Sequence, residues 1–262
     1  MIYITGDTHS DFKKFSTSNF HEQKMMSKED YIIICGDFGG IWDNGVFGTS
    51  KSEAYWLDWL NDRPFTTLFV DGNHENFDML GNFAISDWNG GEVQHIKDSV
   101  IHLMRGQVYD ICGKKYFTMG GAQSHDISGG ILDANDPAFA LKRRQLDRQG
   151  ASYRINHWSW WKEEMPNDKE YEVAWQNLEA NNWKVDYIIS HCCPTSVQGI
   201  VGGGNFQPDR LTDFFEDVKE KCEYDFWFCG HYHVNRIVMN NHVLLYEKIL
   251  PIESSEKWTK LL

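Results

Sequence analysis

The sequence predicts an α/β fold of layered sheets flanked by helices. Short apolar runs alternate along the chain with longer segments of mixed polarity, as strands alternate with helices in such folds. Some runs are unbroken, such as YIIIC at residues 31–35, which is typical of strands buried on both faces. Polar clusters follow five of the runs, and ligands of α/β sheets gather at the carboxyl ends of strands.

The first third of the chain predicts three strands, at residues 2–5, 31–35 and 66–70. Residues 11–26 are polar with scattered apolar positions, and they predict a helix. Residues 38–50 contain four glycines and predict a flexible loop. Residues 52–61 predict a helix with Ser52 as its N-cap.

The rest of the chain predicts further alternation and then an antiparallel ending. We expect two or three strands within residues 100–119, helices at 168–181 and 208–221, strands at 185–189 and 224–229, and one or two strands within 236–252. Residues 124–166 are polar and rich in Asp, Arg and Trp, which predicts an insertion or lid-like region over one face of the sheet. We expect residues 1–262 to form a single domain that carries this insertion.

Composition and charge limit the function classes. A hydrophobic share of 41% predicts a folded globule, and a net charge of -13 makes extended nucleic-acid binding unfavourable. No apolar run approaches the roughly 20 residues of a membrane span, so we expect no membrane partner. The six cysteines are few for this length, and no signal peptide precedes Thr5. These features predict reduced thiols and a cytoplasmic protein.

Five short clusters carry the residue types of a two-metal hydrolase, and each follows a predicted strand. They are Asp7-Thr8-His9, Gly36-Asp37, Gly72-Asn73-His74-Glu75, Ser190-His191 and Gly230-His231-Tyr232-His233. Because strand ends meet at one edge of a sheet, we expect the clusters to form one catalytic site.

Seven side chains in these clusters are candidate metal ligands: Asp7, His9, Asp37, Asn73, His191, His231 and His233. Asp7 and His9 are two positions apart, so both can face one ion. Asp37 has two oxygens and can bridge two cations. Mixed nitrogen and oxygen donors favour first-row metals, and Mn, Fe and Zn are the candidates.

The chemistry expected of such a centre is hydrolysis. A water that bridges two cations loses a proton near neutral pH and becomes the attacking nucleophile. His74 adjoins the ligand Asn73 but has no place in the ligand set, so it is the candidate general acid.

The five clusters resemble the motifs of the calcineurin-like metallophosphoesterase superfamily, which run D-x-H, G-D, G-N-H-[DE], H and G-H-x-H. The resemblance implies a four-layer α/β/β/α sandwich with a dinuclear site between its sheet ends. It assigns one metal to Asp7, His9, Asp37 and His233, and the other to Asp37, Asn73, His191 and His231. It also implies that His74 contacts phosphate or protonates the leaving group.

One motif departs from the superfamily pattern. Many members have G-D-x-x-D at the second motif, whereas Gly40 stands here in place of the second acid. The Asp-Arg-Gly of protein serine/threonine phosphatases is also missing. We therefore expect a phosphodiesterase or a nucleotide-directed phosphatase acting on a small phosphoester. A protein phosphatase, a nuclease acting on polymers and a non-catalytic scaffold remain as alternatives.

Several other residues have open interpretations. Arg143 and Arg144 lie in a basic cluster and are candidate substrate contacts, with a solvated helix face as the alternative. His125 is a candidate for the substrate pocket. The tryptophans Trp158, Trp160 and Trp161 suit core or lid packing better than base stacking. Asp71 and Glu75 either orient ligand histidines or serve as surface or capping residues.

Overall fold

Two large β-sheets pack face to face in the computed structural model, which describes residues 1–43, 50–253 and 258. Helices cover the outer face of each sheet, so the layers follow the order α/β/β/α. The predicted fold class is confirmed.

The first sheet has seven strands: β1 (Ile2–Thr5), β2 (Tyr31–Cys35), β3 (Thr66–Val70), β4 (Ile85–Trp88), β5 (Gly91–Lys97), β6 (Val100–Leu103) and β15 (Ile249–Pro251). Their order across the sheet is β15-β1-β2-β3-β6-β5-β4. Strands β1, β2, β3 and β6 run parallel, whereas β15 and β5 pair with their neighbours in antiparallel fashion.

The second sheet has six strands: β7 (Gln107–Ile111), β8 (Lys114–Met119), β11 (Tyr187–Ser190), β12 (Phe226–Cys229), β13 (Arg236–Val238) and β14 (His242–Leu244). Their order is β13-β14-β12-β11-β8-β7, with a parallel centre and an antiparallel strand at each edge. Two short strands, β9 (Ile131–Leu132) and β10 (Arg154–Ile155), form a separate parallel pair.

Six α-helices lie within the described residues: α1 (Ser50–Asn61), α2 (Phe77–Leu80), α3 (Phe139–Gln149), α4 (Asp168–Ala180), α5 (Thr195–Gly202) and α6 (Arg210–Lys221). Three short 3-10 helices span Phe12–Phe15, His21–Met25 and Lys162–Glu164. Capping boxes start α4 at Asn167 and α6 at Asp209, because each cap side chain accepts hydrogen bonds from free amides of the first turn.

Strand alternation explains the unbroken apolar runs. In β2, Ile33 and Cys35 face the core between the sheets, whereas Ile32 and Ile34 pack against the outer helical layer. Both faces of the strand are therefore buried, and neither face can be polar without a partner. The two sheets are held in register by this shared core, so their strand ends keep fixed relative positions.

Most predicted elements are confirmed, and the differences have physical reasons. Strands β4 and β5 were not expected, because β4 is almost wholly exposed and lacks an apolar signature. Residues 11–26 form two 3-10 helices rather than one helix. Helix α1 begins at residue 50, so Ser52 is not its cap. Residues 44–49 of the expected loop lie outside the described residues.

Residues 124–166 contain regular structure as well as loops, namely β9, α3 and β10. Helix α3 buries none of its residues. Trp161 is buried and donates a hydrogen bond to Asp78 in α2 (Nε1–Oδ2 2.7 Å), whereas Trp158 is exposed. The expectation of packing is thus confirmed for Trp161.

The cysteines are all free, and only Cys112 among them is exposed. Within the described parts of the chain, no helix combines the length and the apolar character needed to cross a membrane.

Candidate metal centre

The five polar clusters meet at one edge of the two sheets. Asp7 and Asp37 follow β1 and β2 of the first sheet, and His191 follows β11 of the second. His191 Nε2 lies 3.3 Å from Asp37 Oδ1, and His191 Nδ1 lies 3.9 Å from Asp7 Oδ1. The backbone amide of His231, after β12, donates to Asp7 Oδ1 at 2.9 Å. The expected convergence of the strand ends is present.

Asp7, His9 and His233 form a group that we call the outer group, because both histidines are exposed. Asp7 Oδ2 lies 3.0 Å from His233 Nε2 and 3.6 Å from His9 Nε2. The two Nε2 atoms are themselves 3.0 Å apart. Three potential donor atoms therefore surround one small volume that opens to solvent.

Asp7, Asp37 and His191 form the inner group, in which every residue is buried. The His191 ring donates from Nδ1 to the Cys35 carbonyl at 2.8 Å, which leaves the Nε2 lone pair facing the centre. Asn73 Oδ1 lies 3.2 Å from that Nε2 atom. This orientation suits His191 and Asn73 as ligands of one ion.

Asp37 lies between the two groups. Its Oδ1 faces His191 of the inner group, and its Oδ2 lies 3.7 Å from His9 Nε2 of the outer group. The carboxylate also accepts the backbone N–H of His74 at Oδ1, at 2.8 Å. Its two oxygens thus point toward different groups, as a carboxylate shared by two cations requires.

The surroundings of Asp7 Oδ2 indicate that Asp7, His9 and His233 could bind a cation. This buried oxygen makes no hydrogen bond of good geometry with the described residues, and its neighbours are two imidazole nitrogens, His233 Nε2 at 3.0 Å and His9 Nε2 at 3.6 Å. A buried carboxylate oxygen left unpaired is costly, so such atoms normally have a partner. A cation between Asp7, His9 and His233 would satisfy all three atoms at once.

Electrostatics among the side chains of the centre follow from burial and the two carboxylates. Burial disfavours the charged His191 ring, but the negative charges of Asp37 and Asp7 outweigh it and raise the His191 pKa to about 10. Burial likewise opposes ionisation of Asp37, yet His191 lowers the Asp37 pKa to about 2. A cation bound at the centre would compete with the proton on His191, because metals bind the neutral imidazole.

His231 completes the inner side of the centre. Burial and the neighbouring charge of His191 lower the pKa of His231 to about 3, so its ring is neutral at physiological pH. The centroids of the two rings are 5.0 Å apart. A neutral imidazole is the form that binds metals.

The backbone at the centre adopts conformations that ordinary residues rarely take. His9, Asp37, His231 and His233 all have positive φ angles, between 43° and 66°. Positive φ is uncommon for residues other than glycine, and each case costs free energy. Four of the seven candidate ligands share this strain, which marks the edge as a functional site rather than an ordinary set of loops.

Glycines make room for the ligands. A Cβ on Gly36 would lie 2.1 Å from His191 Nδ1, and one on Gly230 would lie 2.1 Å from Asp7 Oδ1. A Cβ on Gly72 would lie 2.0 Å from Asp37 Oδ1. Each motif glycine therefore permits a side chain from another cluster to approach the backbone closely.

The two acidic neighbours of the third cluster are buried and touch no ligand histidine. Glu75 accepts hydrogen bonds from the amides of Phe38 (2.7 Å) and Gly39 (3.3 Å), which fixes the loop after Asp37. Asp71 pairs with the buried Arg105, with Nε–Oδ2 at 2.9 Å. Among the described residues, neither acid forms a hydrogen bond to a ligand histidine and neither lies at the surface, whereas the capping alternative fits Glu75, which accepts two backbone amides.

His74 borders the centre without joining either group. Its half-buried ring lies edge-on to His9, with centroids 5.3 Å apart. Its Nε2 is 3.5 Å from Nη2 of Arg154. Burial lowers the His74 pKa, despite the opposing effect of Asp37.

The predicted substrate contacts have different outcomes. His125 packs its ring 5.1 Å from that of His231, which places it beside the centre. Arg143 instead donates to the Tyr153 hydroxyl at 3.2 Å, and Arg144 lies on an exposed face of α3 beside Leu141. Within the described residues, neither arginine forms a hydrogen bond or ion pair with any of the five clusters.

The arginine that does approach the centre is Arg154. It forms a forked ion pair with Asp126, with Nε–Oδ1 at 3.0 Å, and this pair aims the guanidinium at His74. Arg154 belongs to the basic stretch that the sequence indicates, but no spacing rule distinguishes it from Arg143. The feature that distinguishes Arg154 is its ion pair with Asp126, and this pair is visible only in the structure.

A cavity of about 900 Å³ lies elsewhere, between α2, the turn at Lys162–Glu164 and the start of α4. None of the seven candidate ligands lines it. The cavity therefore does not include the candidate metal centre.

Comparison with known proteins identifies the family. The family model for calcineurin-like phosphoesterases matches residues 1–235, so the chain belongs to this family of metal-dependent phosphoester hydrolases. Lariat debranching enzyme A of Xenopus laevis is 20% identical over 266 residues, which cover 92% of this chain and 44% of that enzyme. The chain thus spans less than half the length of this relative.

Gly230→Ala should reduce metal binding, because the added Cβ would displace the Asp7 carboxylate. After loading with Mn²⁺, elemental analysis should show clearly less metal per protein than in wild type. Gly199→Ala in α5 is the matched control, because a Cβ there meets nothing within 4 Å. Wild-type metal content in Gly230→Ala would contradict the assignment of Asp7 as a ligand that needs this space.

Proposed function

We propose that this calcineurin-like phosphoesterase cleaves a small phosphodiester or dephosphorylates a nucleotide, using two first-row metal ions. The observation that carries the proposal is the convergence of donor atoms on the buried Asp7 Oδ2, which lacks a hydrogen bond of good geometry and faces His9 and His233 beside a second buried group. Family membership supports phosphoester hydrolysis in general.

The proposed ligand sets share Asp37. One ion would bind Asp7, His9, Asp37 and His233, and the other would bind Asp37, Asn73, His191 and His231. The nitrogen and oxygen donors favour Mn, Fe or Zn. Complete ligand sets support an enzyme over a non-catalytic scaffold, since a scaffold has no need of them.

Bound ions would supply a nucleophilic hydroxide at neutral pH and neutralise phosphate oxygens. The chain supplies the positioning and the proton. We assign His74 as the residue that protonates the leaving oxygen or contacts phosphate, because its ring lies edge-on to His9 of the outer group and belongs to neither ligand set. His125 would line the substrate pocket beside His231.

Arg154 replaces Arg143 and Arg144 as the proposed substrate contact. Its guanidinium and the His74 ring face each other at 3.5 Å, and an anionic oxygen is the natural partner for both. Asp126 holds the guanidinium from the other side, so little rotamer freedom is lost on binding. The fork geometry suits a phosphate oxygen of the substrate.

The second motif argues against a protein phosphatase. Gly40, which stands where many members have an acid, is buried against aromatic rings. A Cβ there would lie 2.5 Å from Phe38 and 3.0 Å from Phe12. The loop thus has no space for a second carboxylate, which supports a different substrate class from that of the enzymes that carry one.

We propose that residues 1–262 act as one phosphoesterase domain and that residues 124–166 form a lid-like insertion beside the centre. Contacts of Arg154 with His74, and of His157 and Trp161 with Asp78, attach the insertion next to the third cluster. Six free cysteines support residence in a reducing cytoplasm.

Loading the protein with Mn²⁺ should produce hydrolysis of bis(p-nitrophenyl) phosphate that exceeds hydrolysis of p-nitrophenyl phosphate. A chelator should abolish both activities, and added Mn²⁺ should restore them, because the buried carboxylates cannot activate water without cations. Absorbance of released nitrophenol measures the rates. If neither ester is turned over after loading with Mn²⁺, Fe²⁺ or Zn²⁺, the proposed function is wrong.

His74→Ala should lower kcat by roughly a hundredfold to ten-thousandfold, the usual size of a general acid's contribution. Metal content should stay at the wild-type level, because Asp37 accepts the backbone amide of residue 74 and not its ring. Steady-state kinetics and elemental analysis give the two readouts, and His95→Ala, at an exposed position of β5, serves as the control. Loss of metal from His74→Ala would refute its role.

Arg154→Met should raise KM for the diester by roughly tenfold to a hundredfold, as expected for a lost charge-assisted hydrogen bond. Arg143→Met should leave KM unchanged, because that arginine contacts Tyr153 instead of the centre. Equal effects of both substitutions would point to general surface charge rather than a specific contact.

A further inference from the structure

We infer that Ser124 and Glu164, at the two ends of the insertion, form a positioning pair that fixes which end of the Asn73 amide faces the metal centre. The inference rests on the proposed function, since it takes Asn73 as a ligand of one ion. It assigns the insertion a role in metal binding in addition to its position near the substrate.

The side-chain amide of Asn73 needs such a device. Its oxygen and nitrogen ends have nearly the same shape, but only the oxygen can bind a cation. A flipped amide would direct two N–H groups at the ion. The orientation therefore has to be set by a partner that accepts a hydrogen bond and cannot donate one back.

Ser124 meets that need because of Glu164. Asn73 Nδ2 donates to Ser124 Oγ at 3.3 Å, and Ser124 Oγ donates to Glu164 Oε2 at 2.6 Å. The backbone amide of Ser124 donates to Glu164 Oε1 at 3.0 Å. All three side chains are buried, with exposures of 6%, 4% and 2% for Asn73, Ser124 and Glu164. Water therefore offers little competition for these bonds.

The direction of donation is set at the carboxylate. Burial raises the pKa of Glu164, and the hydrogen bonds from the Ser124 hydroxyl and amide oppose that rise. In its ionised form Glu164 only accepts, so the single hydroxyl proton of Ser124 is then committed to it. The hydroxyl then has only lone pairs to offer Asn73, which must present Nδ2. The amide oxygen consequently faces His191 Nε2, at 3.2 Å.

Arg105 links the segment that carries Glu164 to the segment that carries Asn73. It donates to the backbone carbonyls of Glu163 (2.8 Å) and Glu164 (3.4 Å), and it pairs with Asp71, two residues before Asn73. The carboxylate that orients Ser124 is thus anchored to the same loop that carries the ligand. These hydrogen bonds connect Asn73, Ser124, Glu164 and Arg105 in one network, which gives the Asn73 amide one stable orientation.

Ser124→Ala should weaken binding of one of the two ions by roughly tenfold to a hundredfold, the usual effect of removing a partner that orients a ligand. Titration calorimetry with Mn²⁺ on the full chain measures both affinities without any turnover. Ser124→Thr keeps the hydroxyl and should restore the affinity. Ser152→Ala, an exposed serine of the insertion, is the matched control.

The Asn73→Asp variant distinguishes two possible roles of Ser124, namely orienting the side-chain amide of Asn73 and supporting the local structure. A carboxylate has an oxygen at each end, so its flip no longer matters. Ser124→Ala should therefore cost much less affinity in Asn73→Asp than in wild type. An equal cost in both backgrounds would refute the positioning role and leave only a structural one.

Glu164→Gln is a second test of the inference. Glutamine can donate a hydrogen bond to the Ser124 hydroxyl, which could then donate to residue 73 and allow the Asn73 amide to flip. We expect weaker binding of the same ion, and circular dichroism in chelator shows whether each variant is folded. Unchanged affinity in folded Ser124→Ala or folded Glu164→Gln would overturn the inference. Failure of wild type to bind two ions would instead overturn the proposed function.

Discussion

Two carboxylates buried side by side, Asp7 and Asp37, are the constraint on which the rest of the centre depends. Both side chains are at most 2% exposed, and like charges so placed repel each other strongly. His191 lies within 4 Å of both, and the two negative charges raise the pKa of its ring, so a proton on His191 compensates part of their repulsion. The same geometry explains why cations would bind tightly, since they supply the missing charge in place of that proton.

Holding these charges together imposes demands on the backbone. The ligands come from strand ends of two different sheets, so each must turn sharply into the shared edge. Positive φ angles at Asp37 and His231 show the cost of these turns, and Gly72 and Gly230 provide the space for them. The core between the sheets fixes the strand ends and so sustains the strain. Stability of the sandwich is thus a requirement of the site, not a separate property.

Features that depend on residues close in sequence were predictable, whereas contacts between residues far apart in sequence were not. The convergence of the clusters that contain Asp37 and His191 was predictable, because strand ends and motif spacing are local signals. The partners of Ser124 and Arg154 were not, because Glu164 and His74 lie 40 and 80 positions away and no pattern links them. Surface strands such as β4 were missed for a different reason, since exposed positions carry no apolar periodicity.

The charge of the whole chain adds a final restriction. A net charge of -13 repels anionic substrates over its surface, and Arg154 is already paired with Asp126. The attraction for a phosphoester would therefore come from the centre itself, from bound cations and from the Arg154 guanidinium that Asp126 positions there. There, Asp7 and Asp37 oppose an anion until cations compensate them. On the proposed function, substrate binding would be coupled to metal binding by electrostatics. A small phosphoester inside the centre would then gain more of this local attraction than a long polyanion lying across an acidic surface.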